Sequence, residues 1–370
     1  MKKILIAPDS FKGTMTAGEI CALLSRAVKE LSPGRETVCI PMSDGGEGMV
    51  EAYTSLLGGE KGVFPVTGPR EQTVNCPYGI LPGGVGVLEM AGAAGLPLMG
   101  GEFSPLGATT YGVGEAIQRL ADRGCRELLM GLGGSATNDC GIGMAAALGY
   151  RFLDKDGAPL APYAFHLGRV EKILPPDTLP ELTITAACDV NNPLCGVRGA
   201  AAVFGPQKGL KPEEIGPHDM AMAHFAEVIR RDLGADVAGL PGAGAAGGLG
   251  AGMMAFLGAR LTAGIELLLD TVRVDDILAD CDLVLTGEGR MDGQSIAGKV
   301  PVGVAHRAKK AGVPCVALCG SLGREAELVL NEGITAYFAA TDGTKTMDEL
   351  VRSCRDDLYA LALRVLPAYL

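Results

Sequence analysis

One succession recurs at both ends of the chain: a short apolar run, a loop rich in Gly, Asp and Ser, then an amphipathic helix. Residues 3–8 (KILIAP) are such a run, and it stops at Asp9-Ser10. Thr16-x-x-Glu19 then reads as a capping box. Behind it Ile20, Leu23, Leu24, Ala27, Val28 and Leu31 recur at helical spacing. A second run, 37–42, ends in Ser43-Asp44-Gly45-Gly46-Glu47-Gly48, and a helix is expected over about 47–57. The pattern returns late. Residues 282–286 (DLVLT) lead into Gly287-Glu288-Gly289-Arg290, 314–318 into Cys319-Gly320-Ser321, and 337–340 into Thr341-Asp342-Gly343. Thr346-x-x-Glu349 caps a last helix with Leu350, Val351, Cys354, Leu358, Leu361 and Val365 on its apolar face. Strands that alternate with helices in this way build a parallel sheet.

Between these ends the alternation is less regular, with longer loops and clusters such as Pro175-Pro176. A chain of 370 residues exceeds one average core. The expected architecture is therefore α/β, with a Rossmann/flavodoxin-like parallel-sheet domain built from both chain ends, residues 1–68 and 280–370. A second α/β domain, 69–279, is inserted between them.

The formal charge of −11 argues against nucleic acid or an anionic membrane as partner. An anionic substrate then needs a local basic pocket. Eleven Cys without a CxxC and four scattered His support neither a zinc site nor a disulfide framework. Reduced thiols in a cytoplasm fit best. The N-terminal apolar run is too short for a signal peptide. The uncharged stretch 237–259 contains eight Gly and one Pro, which reads as buried loop and helix rather than a membrane span.

In an open parallel sheet, ligands bind outside the carboxyl ends of the strands. At those ends stand Asp9, Ser10 and Lys12, then Asp44 and Glu47, then Glu288, Arg290 and Asp292, then Ser321 and Asp342. Taken singly, each reads better as an ordinary turn residue or helix cap. Together, acids for Mg²⁺ and a hydroxyl proton, cations for phosphate charge and flexible Gly backbone are what phosphoryl transfer requires.

The middle of the chain adds similar loops. Residues 127–132 read as a strand running into Gly133-Gly134-Ser135-Ala136-Thr137-Asn138-Asp139, either an anion cradle or a plain capped turn. Residues 184–187 lead to Cys188-Asp189-Val190-Asn191-Asn192-Pro193, where Asp189 and Asn191 offer oxygens to Mg²⁺ or to hydroxyls. Gly205-Pro206-Gln207-Lys208-Gly209 puts Lys208 in a tight turn, facing either a phosphate or solvent.

Two motif matches are discounted. Gly242-x-Gly244-x-x-Gly247 fits a dinucleotide fingerprint but follows no strand. Gly293-x₄-Gly298-Lys299 resembles a P-loop, yet Val300 replaces the Ser or Thr that ligates Mg²⁺.

Six blocks carry a resemblance that covers essentially the whole chain. They are Ala7–Gly13 (APDSFKG), Ser43–Gly48 (SDGGEG), Gly133–Asp139 (GGSATND), Cys188–Leu194 (CDVNNPL), Gly205–Gly209 (GPQKG) and Thr286–Ser295 (TGEGRMDGQS). In this order the chain resembles the bacterial glycerate kinase type 1 family. The resemblance implies an ATP- and Mg²⁺-dependent kinase acting on D-glycerate in glyoxylate metabolism, with its site in the cleft between two domains. The implied product is 2-phosphoglycerate, with 3-phosphoglycerate as the rival.

On that basis Lys12, Asp44 and Asp189 are expected to be catalytic. Asp9, Ser10, Asn191, Arg290 and Asp292 are expected to bind substrate. Gly133, Gly134, Ser135, Thr137, Lys208 and Glu288 are expected to bind nucleotide phosphates, with Asp189 and Glu288 on the metal. Another small-acid kinase, and a nucleotide-binding regulator without turnover, remain the competing classes. No oligomeric state is legible.

Overall fold

A computed structural model of the chain describes residues 3–11, 13–42, 48–101 and 104–370. It divides into two compact units, Met1–Asp44 with Ile265–Leu370, and Gly45–Gly264.

The first unit carries a five-stranded sheet in the order Ala336–Ala339, Cys315–Cys319, Cys281–Thr286, Lys3–Ile6 and Thr37–Cys39, every pair parallel. Ile4, Leu5 and Ile6 are all fully buried, as expected for a strand covered on both faces. Alternate residues Ile4, Ile6, Leu283, Leu285, Val316 and Leu318 pack with the helices Ala17–Leu31 and Met347–Val365. Each of these helices begins with a reciprocal capping box, Thr16 with Glu19 and Thr346 with Glu349. The box satisfies donors that the first turn leaves without intrahelical partners. Two expectations shift. The second strand ends at Cys39 rather than 42. Val351, placed on the apolar face of the last helix, is 49% exposed.

The chain leaves Lys3–Ile6 in one direction along the sheet, toward Thr37–Cys39. On its return it adds Cys281–Thr286 on the opposite side, followed by Cys315–Cys319 and Ala336–Ala339. The strand order therefore reverses between Lys3–Ile6 and Cys281–Thr286, and this reversal is where a doubly wound sheet opens a crevice. Gly287, just beyond the reversal, has no room for a side chain. A Cβ there would lie 2.0 Å from the Leu318 carbonyl oxygen.

The second unit carries a six-stranded sheet ordered Arg260–Thr262, Thr183–Ala187, Glu127–Gly131, Val85–Glu89, Thr73–Leu81 and Glu60–Thr67. The first four strands run parallel, and the last two pairings are antiparallel. Glu60–Thr67 pairs along its whole length with Thr73–Leu81, which moves residues 45–68 out of the end-built unit where the sequence reading had put them. At the other boundary, Ile265 rather than residue 280 opens the return to the first unit. Its side chain packs against Gly303 on the helix Val300–Lys310.

The Gly-rich stretch within 237–259 forms the helix Ala245–Leu257, most of it buried in the core of this unit. Ala246, Gly247 and Gly248 take left-handed backbone angles in succession. A Cβ on Gly247 would lie 1.9 Å from the Thr137 carbonyl oxygen, so this glycine lets two backbones touch. Among the described residues no helix is long and apolar enough to cross a membrane.

Candidate active site

In the first unit, the loops leaving four adjacent strands line one cavity of about 510 Å³. Asp9 and Ser10 follow Lys3–Ile6, and Glu288, Gly289 and Arg290 follow Cys281–Thr286. Ser321 follows Cys315–Cys319, and Thr341 and Gly343 follow Ala336–Ala339. Backbone hydrogen bonds hold the loops at the reversal in register. The Asp9 N–H donates to the Gly287 carbonyl at 2.8 Å, and the Thr286 hydroxyl donates to the Ala7 carbonyl at 2.8 Å. The Asp9 carboxylate accepts from the Ser10 N–H at 2.7 Å.

Glu288 is only 5% exposed. Its Oε1 accepts from the Ser295 hydroxyl at 2.5 Å, and its Oε2 faces the Lys299 ammonium at 3.4 Å. Burial pushes the Glu288 carboxyl above the usual carboxylate range. Ser295 and Lys299 pull it down, and the Asp9 charge adds a smaller upward push. Lys299 also lies 3.9 Å from Asp292, whose other oxygen is 3.8 Å from the Arg290 guanidinium. Three cations, Arg290, Lys299 and Lys345, and two carboxylates, Asp9 and Glu288, thus line one pocket, with Asp292 behind Arg290 and Lys299, a set suited to anion and cation together.

In the second unit, the loop after Glu127–Gly131 exposes Gly133 and Gly134 and buries Ser135, Thr137, Asn138 and Asp139. Lys208, on the short turn Pro206–Lys208, is 3% exposed, neither solvated nor open. Its amine donates to the Ser135 hydroxyl at 2.5 Å and to the Thr137 carbonyl at 2.8 Å. Burial, opposed by the Asp139 charge, brings that amine down to about 7.

Asp139 is fully buried and accepts from the Thr110 N–H at 2.9 Å, the Thr110 hydroxyl at 2.8 Å and the N–H groups of Gly141 and Gly143. Burial nonetheless raises its carboxyl. The His218 ring nitrogen meets the Asn138 carbonyl at 2.8 Å. Asp189 and Asn191 are exposed beyond Thr183–Ala187, and Asp189 accepts from the Gly264 N–H at 2.8 Å.

Of the residues singled out in the sequence, Asp9, Ser10, Glu288, Arg290 and Asp292 come together in the first unit. Gly133, Gly134, Ser135, Thr137 and Lys208 come together in the second. Asp189 and Glu288, paired on a metal in the sequence reading, belong to different units. Lys12 and Asp44 lie outside the described residues.

Sequence reasoning missed Ser295, which positions Glu288, and Lys345, which lines the cavity and pairs with Asp357 at 2.5 Å. It also missed Thr110, whose only trace in sequence is a Thr-Thr pair before a helix. Gly242 and Gly244 follow no strand, and a Cβ on Gly244 would lie 2.4 Å from the Pro193 carbonyl oxygen, so these glycines serve close packing.

Comparison with known proteins gives one answer. The family model described as the glycerate kinase family matches residues 4–369. A glycerate kinase of Halalkalibacterium halodurans is 43% identical over 357 residues, covering 95% of this chain and 94% of that protein. A glycerate 2-kinase of Escherichia coli is 42% identical over 362 residues, covering 96% and 95%. A crystal structure described as a glycerate kinase 2 from Salmonella typhimurium LT2 superposes with a TM-score of 0.88 at 39% identity, covering 99% of this chain and 98% of that one. The α/β fold, the order of the six sequence blocks and these matches agree: the chain belongs to the glycerate kinase family.

Proposed function

We propose that the chain transfers the γ-phosphoryl group of ATP to the 2-hydroxyl of D-glycerate, releasing 2-phosphoglycerate and ADP. The observation that carries this reading is the convergence of Asp9, Ser10, Glu288 and Arg290 on one cavity at the reversal of strand order. Its volume of about 510 Å³ falls in the range of small-molecule sites, roughly 300–1,000 Å³. The choice of the 2-hydroxyl follows the Escherichia coli relative, named a glycerate 2-kinase.

In this reading the Arg290 guanidinium takes the glycerate carboxylate, a role it shares with Lys12, and Ser10 orients a hydroxyl. Asp292 holds Arg290 in place. Asp189 accepts the hydroxyl proton, with Asp44 beside it in role and Asn191 on the substrate hydroxyls. The Gly133–Ser135 backbone and the Thr137 loop take the phosphates. The donor set of the pocket fits Mg²⁺, because kinases hold that ion with one or two carboxylates plus phosphate oxygens and water. Asp9 and Glu288 supply two carboxylates whose mutual repulsion, felt by Glu288, asks for a cation. Bound there, the ion would neutralise charge on the transferring oxygens. Eleven cysteines, all free, suit a reducing cytoplasm.

Phosphorus NMR of the product formed from D-glycerate and ATP tests the reading. A signal from 2-phosphoglycerate supports it. 3-Phosphoglycerate overturns the regiochemistry, and ATP binding without any product overturns the activity.

A further inference from the structure

The Lys208 amine has an unusual position. It is buried, and among the described residues no carboxylate forms an ion pair with it. Asp139, the acid whose charge reaches it, spends its oxygens on four donors from Thr110, Gly141 and Gly143. The hydroxyl that Lys208 holds belongs to Ser135, next to the exposed backbone of Gly133 and Gly134. Beside it the Thr137 hydroxyl and both polar atoms of the Asn138 side chain are buried without a hydrogen-bond partner among the described residues. Buried polar groups are nearly always satisfied, and each orphan costs on the order of 1–3 kcal/mol. A loop with a buried amine that no carboxylate pairs with on one side, open backbone on the other, and the Thr137 hydroxyl and Asn138 amide N–H groups orphaned along it is suited to receive an anion.

We propose that a phosphate group of ATP binds at the Ser135 end of this loop, and that Lys208 supplies the compensating charge from behind by taking up a proton as the anion arrives. This rests on the kinase reading above. Lys208 is a positioning residue: it acts through the Ser135 hydroxyl and the Thr137 carbonyl and does not touch the ligand.

The protonation step balances simply, with one solvent proton joining a neutral amine to give an ammonium. Burial holds the amine near 7, so much of it is neutral at physiological pH, and a dianion nearby reverses that preference. The other titratable groups facing this loop are Asp139 from the loop itself and His218 from the helix Pro212–Leu233, with Glu214 and Asp219 acting on His218 from the same helix. Burial lowers His218, so it is a second possible proton acceptor that the experiment has to separate.

Isothermal titration of the full chain with ATP in EDTA, at about pH 8 in buffers of different ionisation enthalpy, reads the proton directly. ATP itself is fully ionised there. The expected result is uptake of about 0.5–1 proton per site in the wild type, and none in Lys208→Met, which keeps the volume. Lys208→Arg, charged at every working pH, should recover affinity to within about threefold of wild type with no uptake. A role in packing alone would not produce that pattern. Uptake surviving in Lys208→Met assigns the proton to His218 and overturns the proposal. So does wild-type binding with no buffer dependence. Glycerate-dependent ADP release is measured on the same preparation. Turnover without uptake sinks this proposal alone, whereas absence of both binding and turnover sinks the kinase reading with it.

Discussion

The two units dispose their charged groups in opposite ways. In the first, the strand order reverses, and the charged side chains of Asp9, Glu288, Arg290 and Lys299 line an open cavity beside that reversal. In the second, the sheet order follows the chain from Glu60–Thr67 to Arg260–Thr262 without reversing. There the charges lie inside, at Lys208 and Asp139, and the loop presents the backbone of Gly133 and Gly134. In the proposed reading, side-chain recognition falls to the first sheet and backbone recognition to the second. The first kind tolerates solvent, because its cations and acids screen one another. The second depends on burial, because a cation without a close counter-charge loses its preference for the proton only where water is excluded.

Substitutions can break this contrast or sharpen it. The largest expected effect is Gly287→Ala. With the Leu318 carbonyl 2.0 Å from the new Cβ, the strand-end loops must separate, at a cost of about 3 kcal/mol or more. Thermal unfolding checks this, and a melting temperature within a degree or two of wild type would show the crevice to be plastic.

Next comes Glu288→Gln, expected to lower turnover by about a hundredfold, the scale of losing one charged transition-state contact, with the fold intact. Asp189→Ala should fall in the same range. If steady-state kinetics show either near normal, the corresponding unit has been credited with the wrong group.

A smaller effect separates the units by pH. The folded Lys208 amine titrates near 7, below its unfolded value of about 10.5. Between those values the unfolded chain binds more protons, so this residue's destabilising influence fades as pH rises from about 7 toward 10 and is full below 7. Wild-type melting temperature should therefore climb relative to that of Lys208→Met as pH rises from about 7, the gap narrowing toward pH 10. A gap that is constant with pH would mean that the buried amine keeps its proton throughout.

The smallest effect is expected from Thr137→Val. Replacing an orphaned buried hydroxyl by a methyl group should leave stability unchanged or raise it by about 1 kcal/mol. Turnover should nevertheless fall about tenfold if the hydroxyl meets the phosphate. Denaturant melts and kinetics on one sample decide whether that orphan serves function or is a packing accident.

Much of this was legible from the chain. Both capping boxes are local, and Thr16-x-x-Glu19 and Thr346-x-x-Glu349 specify their helices without tertiary help. The strand ends were readable because each apolar run stops where Asp, Ser or Gly begins, at Asp9, Gly287 and Gly320. The boundary after the first two strands was not. Glu60–Thr67 is mixed in polarity, and only its pairing with Thr73–Leu81 assigns it to the second sheet. For Lys208 the sequence left phosphate and solvent open, because a turn lysine in sequence carries no sign of whether neighbouring backbone will cover it, and the burial of its amine removes the solvated alternative. Ser295 escaped notice because its partner, Glu288, lies seven residues away across a turn with no periodic signature.

The pairing of Lys3 with Cys281 has a consequence for how the protein is made. Ribosomes add about 5–20 residues per second, so the opening strand emerges tens of seconds before its neighbour exists. The second unit is continuous in sequence and can finish folding while that strand waits, apolar on both faces, with only Thr37–Cys39 beside it and its other edge unpaired. Nascent chains stalled before residue 281 are where trigger-factor-like binding to residues 3–8 would be greatest, and where misassembly of this enzyme would begin.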